Sequence, residues 1–170
     1  MNGFLEGATR REAEDFLLLE AEALDEGRFR EWLAMLAPEV DYRMPVRATV
    51  DRREGKGFSE KGFHFVETRY RIEMRIARLE SGQAWSEEPP SRTRHFVSNI
   101  RVRPGAGVDE LSVRSNLLFY RSRGDERHND LLSAERLDTL KRIDGQWRLS
   151  SRLVLLDSTT LATHNLSVFL

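Results

Sequence analysis

No cysteine occurs anywhere in the 170 residues. That removes disulfides, thiolate zinc sites, thiolate nucleophiles and cysteine-held iron–sulfur clusters from the chain's own chemistry. The absence also agrees with a reducing, cytoplasmic setting. Lysine is scarce: Lys56, Lys61 and Lys141 stand against 24 arginines. Arginine suits bidentate ion pairs and protein interfaces better than lysine, although a GC-rich genome produces the same bias. No apolar run approaches the ~20 residues of a membrane span. The first residues, M-N-G-F-L-E-G-A-T-R-R-E, lack the apolar core of a secretory leader, so none is expected. Net charge is −1 with acids and bases interleaved, which gives no bias toward nucleic acid or anionic membrane.

The pattern that is present divides the chain in two. Thr9 and Glu12 have capping-box spacing and predict a helix carrying Phe16, Leu17, Leu19, Ala23 and Leu24, ending near Gly27. A short helix over about 29–36 follows, with Trp32, Leu33 and Leu36 on one side, and Pro38 stops it. The segment from Val40 to Val46 alternates and predicts a strand, which Pro45 confines to an edge or an end. Residues 47–57 read as loop. A third helix is expected over roughly 59–79, with Phe65, Ile72, Ile76 and Leu79 on one face and Arg71, Arg75 and Arg78 beside it. After Pro90 the period changes to two. Strands are predicted at 93–103, 110–123, 130–143 and 146–157, the last two joined by the hairpin dipeptide Asp144-Gly145. Short connections make these strands antiparallel. Helices followed by long antiparallel strands define an α+β chain, read as a single domain over 1–170. Long strands twist, so the expected form is a curled antiparallel sheet wrapped around the N-terminal helices, a cone with one open end.

Few residues offer chemistry. The four histidines, His64, His95, His128 and His164, have no metal-ligand spacing. G55-K-G57 is too short for a phosphate loop, and no G-x-S-x-G elbow occurs. Acid–base catalysis inside the cone is the serious alternative, with Asp41, Tyr42 and His95 as the groups. The plainer reading has Asp41 paired to an arginine and His95 lining the sheet.

One stretch stands apart: W85-S-E-E-P-P-S-R-T-R-H-F-V-S-N-I100. It resembles the hallmark segment of the β (small) subunits of aromatic ring-hydroxylating dioxygenases. D41-Y-R-M-P-V-R47, R75-I-A-R-L-E-S-G82, G145-Q-W-R-L-S-S-R-L-V-L-L-D157 and N165-L-S-V-F-L170 are similar to further segments of that family, in the same order. The likeness is weakest from Thr49 to Gly62. The resemblance implies the cystatin-like cone shared with nuclear transport factor 2 and scytalone dehydratase. It implies a non-catalytic structural chain that holds no cofactor. Its partner would be an α subunit with a Rieske [2Fe–2S] cluster and a mononuclear Fe(II), in an α3β3 hexamer. Electrons would arrive from NAD(P)H through a reductase and usually a ferredoxin, to convert an aromatic ring and O2 into a cis-dihydrodiol. No nucleic acid or membrane is expected as a partner.

Within that frame the candidate interface or structural residues are Trp85, Glu87, Glu88, Pro89, Pro90, Arg92, Arg94, His95, Asn99, Phe169 and Leu170. Pro89-Pro90 fixes an extended path, Trp85 anchors it, and Glu87, Glu88, Arg92 and Arg94 are held for ion pairs. Val168, Phe169 and Leu170 are apolar enough to dock, either on this chain's own cone or at a subunit boundary.

Overall fold

A computed structural model describes residues 3–51, 53, 55–82, 90–161, 163 and 168–170. The chain runs α1 (Ala8–Asp25), α2 (Phe29–Ala34), β1 (Leu36–Arg47), β2 (Phe58–Thr68), α3 (Arg69–Glu80), β3 (Arg92–Pro104), β4 (Glu110–Ser122), β5 (Asp130–Ile143) and β6 (Gln146–Leu156). The strands form one sheet in the order β2-β1-β6-β5-β4-β3. All neighbours are antiparallel except β1 and β6, which run parallel. The helices supply the filling: Ala13, Phe16, Leu17 and Leu24 of α1, Trp32 and Leu33 of α2, and Ile72 and Ile76 of α3 pack with Val40, Tyr42, Met44, Val113, Phe119, Leu140 and Leu149 of the sheet. The predicted β5–β6 hairpin is present, with Asp144 at φ 50° and Gly145 at φ 77°, the pair of positive φ values a two-residue turn of this hand requires.

Four local expectations are corrected. The α1 start is not a capping box. The helix begins at Ala8 behind Gly7 at φ 78°, with no side-chain cap. Glu12 is instead drawn to the β5–β6 turn, where it accepts from Trp147 Nε1 at 2.8 Å and Arg142 Nη2 at 2.6 Å. Leu19 is exposed rather than part of the core face. Residues 58–68 form strand β2, not the first half of a long helix; only 69–80 is helical, and Thr68 caps it by accepting from Arg71 N at 3.4 Å. Phe58 and Phe63 lie under the guanidiniums of Arg47 and Arg43, and Phe65 packs on Tyr42, so cross-strand contacts with β1 decide the conformation. Finally, Pro45 lies in an interior strand. It sits at irregularities of register, with shifts on both sides, the kind of place where a sheet accommodates a residue without an N–H.

A second irregularity matters more for the surface. On β3, Ser98 faces Asn116 and Arg101 faces Arg114, so Asn99 and Ile100 stand against Ser115 alone. Asn99 adopts φ 53° at this bulge, a conformation Asn tolerates better than most residues. Before the bulge the odd residues His95 and Val97 point inward. After it the even residues Ile100 and Val102 do, and Arg101 and Arg103 turn outward.

Candidate functional site

Two polar centres lie inside the curled sheet, and the tail residues 168–170 touch both. The deeper one is an ion cluster. Arg152 donates to Asp138 through Nε and Nη2, both at 2.8 Å, and to Glu20 through Nη1 at 2.9 Å and Nη2 at 2.7 Å. Trp32 Nε1 donates to Glu20 at 3.0 Å, and Arg136 Nη1 approaches Glu20 at 3.6 Å. All four charged residues are buried. Two guanidiniums face two carboxylates, so the charge closes within the cluster. Burial alone would push the Glu20 carboxyl up, but Arg152 and Arg136, with the hydrogen bonds from Arg152 and Trp32, hold it below the usual carboxylate range. Burial and the neighbouring Arg152 push the Arg136 guanidinium down. Burial likewise pushes the Tyr42 phenol up. Its hydroxyl donates to the backbone oxygen of Leu170 and accepts from Leu170 N at 3.0 Å.

The second centre is His95 with Asp25. Asp25 ends α1, and His95 follows Thr93 on the inward row of β3. Nδ1 lies 2.6 Å from Asp25 Oδ1, and Nε2 lies 2.8 Å from the carbonyl of Phe169. Asp25 also accepts from His95 N at 3.0 Å and from the Thr93 hydroxyl at 3.1 Å. Burial alone would raise the Asp25 carboxyl, but the ring and backbone bonds from His95 outweigh it and lower the carboxyl below its ordinary value. Both ring partners are acceptors, so the two bonds form together only when each ring nitrogen carries a proton. The Phe169 ring sits 4.4 Å from Trp32 and 6.0 Å from Phe29, with the Arg75 guanidinium 4.3 Å from its centroid. A cavity of about 160 Å³ opens beside this centre, lined by Leu24, Asp25, Phe29, Leu79, His95 and Phe169 among others. Both nitrogens of His95 are engaged by the protein, so the ring serves a ligand in the cavity only by releasing Asp25 or the tail.

The predicted site residues separate. Trp85, Glu87, Glu88 and Pro89 lie outside the described residues. Pro90, Arg92 and Arg94 are exposed. Among the described residues the two arginines meet backbone oxygens: Arg92 Nη2 lies 2.6 Å from Gly124 O, and Arg94 Nη1 lies 2.8 Å from Thr93 O. Asn99 is the bulge residue. His95, Phe169 and Leu170 are inside the chain's own core, so of the two expectations for the tail the structure shows docking on its own cone. The Asp41, Tyr42 and His95 trio is not assembled. Asp41 turns outward and pairs with Arg43 at 2.7 Å, because neighbours on a strand point to opposite faces. The arginine row of α3 is used internally as well: Arg71 donates to Val66 O, and Arg75 donates to Glu67 and Val168 O.

Sequence reading missed Glu20, Asp25, Arg136, Asp138 and Arg152. The signal was present for four of them, since each falls in the apolar phase of its element. Glu20 continues the Ala13, Phe16, Leu17 face of α1 toward Leu24, Arg136 and Asp138 are in step with Ala134 and Leu140, and Arg152 is in step with Val154 and Leu156. Asp25 carries no such sign.

Nothing in this chain fits a Rieske cluster, because it has no cysteine. Among the described residues, no three of His, Asp and Glu converge as metal ligands, and no helix is long and apolar enough to cross a membrane.

A curled sheet over α1, with the ionisable groups of its two inner centres tied to one another and to the tail, defines an α+β cone. The sequence model described as "Ring hydroxylating beta subunit" matches residues 19–163, and the chain belongs to that family. Among solved structures, a chain of naphthalene 1,2-dioxygenase with indole bound in the active site is similar, at 27% identity and a TM-score of 0.84, over 99% of this chain and 90% of that one. The β subunit of benzoate 1,2-dioxygenase from Burkholderia mallei shares the fold at 18% identity and a TM-score of 0.71, over 90% of this chain and 93% of that one. A candidate scytalone dehydratase from Novosphingobium aromaticivorans also shares it, at 21% identity and a TM-score of 0.66, over 92% of this chain and 89% of that one. The fold is thus the cone of nuclear transport factor 2 and scytalone dehydratase.

Proposed function

We propose that this chain is the non-catalytic β subunit of an aromatic ring-hydroxylating dioxygenase. The α subunit it supports carries a Rieske cluster and a mononuclear iron, forms an α3β3 hexamer with it, and cis-dihydroxylates an aromatic hydrocarbon in the cytoplasm. O2 is the oxidant, and NAD(P)H supplies electrons through a reductase and ferredoxin. The family match over residues 19–163 carries the reading. The interior supports it: the buried acids of the ion cluster are held by arginines, and both His95 nitrogens are bonded to the chain itself. The same geometry weighs against a free-standing isomerase or dehydratase, because Asp41 turns outward while Tyr42 and His95 are inside and tied to the tail. The chain's role is therefore to present a rigid outer surface on which the α subunit is assembled. The test is to purify the chain from its native cells and measure the native mass and iron content of what elutes. A large particle with a second, iron-bearing chain is expected. An iron-free particle made of this chain alone would reject the reading and return attention to Asp25 and His95.

A further inference from the structure

Three arginines stand together on the outer face of the sheet, and the bulge at Asn99 puts two of them there. Arg101 lies directly opposite Arg114 across the β3–β4 ladder, and Arg103 lies opposite Ser112. Like charges facing each other across a strand pair destabilise it unless something neutralises them. Arg114 has a partner: its Nε meets Glu135, which Lys56 Nζ also reaches at 3.4 Å. One carboxylate is thus shared by two cations. Arg101 and Arg103 meet no carboxylate among the described residues; their guanidiniums lie 5.8 and 4.3 Å from the Phe4 ring centroid. The three arginines border a concavity of about 530 Å³ with Asn99, Ser112 and Asn116, and no acid among the described residues lines it. Leu137 closes one side. The facing pair Phe96 and Leu118 lies farther along the same face, 56% and 42% exposed.

We propose that this concavity is the docking point for an acidic segment of the partner subunit, one that presents two or more carboxylates beside an apolar side chain. The inference rests on the β-subunit reading. Guanidinium forks hold carboxylates in bidentate pairs. Arginine beside an exposed aromatic is the composition that distinguishes interface cores from ordinary surface. A surplus of cations around a donor-lined hollow selects the partner by charge, while Phe96, Leu118 and Leu137 supply the apolar contact. The bulge is then a device for the interface. Without it the period of two would carry Arg101 and Arg103 into the core.

The test compares wild-type, Arg101→Glu/Arg103→Glu and Arg101→Gln/Arg103→Gln chains, each co-produced with the native iron-bearing partner. Native mass spectrometry across dilution and NaCl series reads dissociation, and thermal melts of each isolated chain verify the fold. The charge-reversed chain should dissociate at about tenfold or more higher concentration, and the neutral chain should lose part of the salt dependence. Both should melt within a few degrees of wild type, because the sites are exposed. Assembly of both variants as tightly and as salt-sensitively as wild type would overturn the proposal. So would inorganic phosphate that raises the melting temperature of the isolated wild-type chain while neither variant alters assembly, which would make the hollow a free-anion site. If the charge-reversed chain melts early, the neutral chain decides. If wild type itself recovers no iron-bearing chain, the β-subunit reading fails, and this inference fails with it.

Discussion

Replacing Arg152 with methionine tests whether the interior ion cluster is structural. The Arg152 side chain is fully buried and makes four bonds of 2.7–2.9 Å to Glu20 and Asp138. Methionine has comparable length but no charge, so it fills space and strands two buried carboxylates. Breaking a buried pair from one side costs about 3–5 kcal/mol. In a domain of this size each kcal/mol lowers Tm by roughly 2–4 °C, so the variant should melt roughly 6–20 °C below wild type at pH 7. The pH dependence adds a second arm. In wild type the Glu20 carboxyl is held low, so its contribution is present above the ordinary carboxylate range and is lost as pH falls through its folded value. Without Arg152 it keeps its burial and loses its strongest opposing charge, so the carboxyl moves up instead. Protonation then relieves the cost, and the deficit should narrow as pH falls toward 5. Differential scanning calorimetry at pH 7 and pH 5 reads both arms. A deficit under 3 °C at pH 7, or one that does not shrink on acidification, would refute the reasoning.

Other substitutions probe the tail and the hallmark strand. Asp25→Asn removes the charged acceptor of His95 and should cost about 1–3 kcal/mol at neutral pH. Because the Asp25 carboxyl is lowered, the wild-type advantage should fade as pH drops below about 4, which urea titrations at several pH values would show. Phe169→Ala opens a hole against Trp32, Phe29 and Arg75 and should cost about 3–5 kcal/mol, with faster amide exchange at Leu170 as a local readout. Arg92→Ala loses a bond to the Gly124 carbonyl on an exposed edge. It should move the stability of the isolated chain by less than about 1 kcal/mol and weaken assembly without changing turnover per iron in particles that form.

Of the strands after Pro90, β4 and β5 were the most legible because they alternate over nearly their whole length; β3 changes phase at its bulge and β6 ends in a buried run, so those two were read from their bounding turns as much as from alternation. Residues 58–68 were not legible, because Phe65, Ile72, Ile76 and Leu79 happen to fall at helical spacing across a strand–helix junction. The evident counter-signal was Phe63-x-Phe65 ahead of the cap residue Thr68. The parallel pairing of β1 with β6 joins distant parts of the chain and has no local signature. The bulge left one trace, the inward phase shifting from Val97 to Ile100. The interior charges were readable as breaks in apolar phase. Asp25, just past the buried run of α1, looked like any polar helix end, and only the fold brings it to His95.

The central claim is that this chain assembles an oxygenase without performing its chemistry. The most direct measurement is substrate turnover per mole of iron in purified particles carrying wild-type, Asp25→Asn or His95→Gln chains, alongside the yield of intact particle. Particles that form should turn over at the wild-type rate per iron, even where yield and thermal stability fall. An intact, fully iron-loaded particle that loses turnover with either substitution would contradict the account, and would place a reactive group inside the cone.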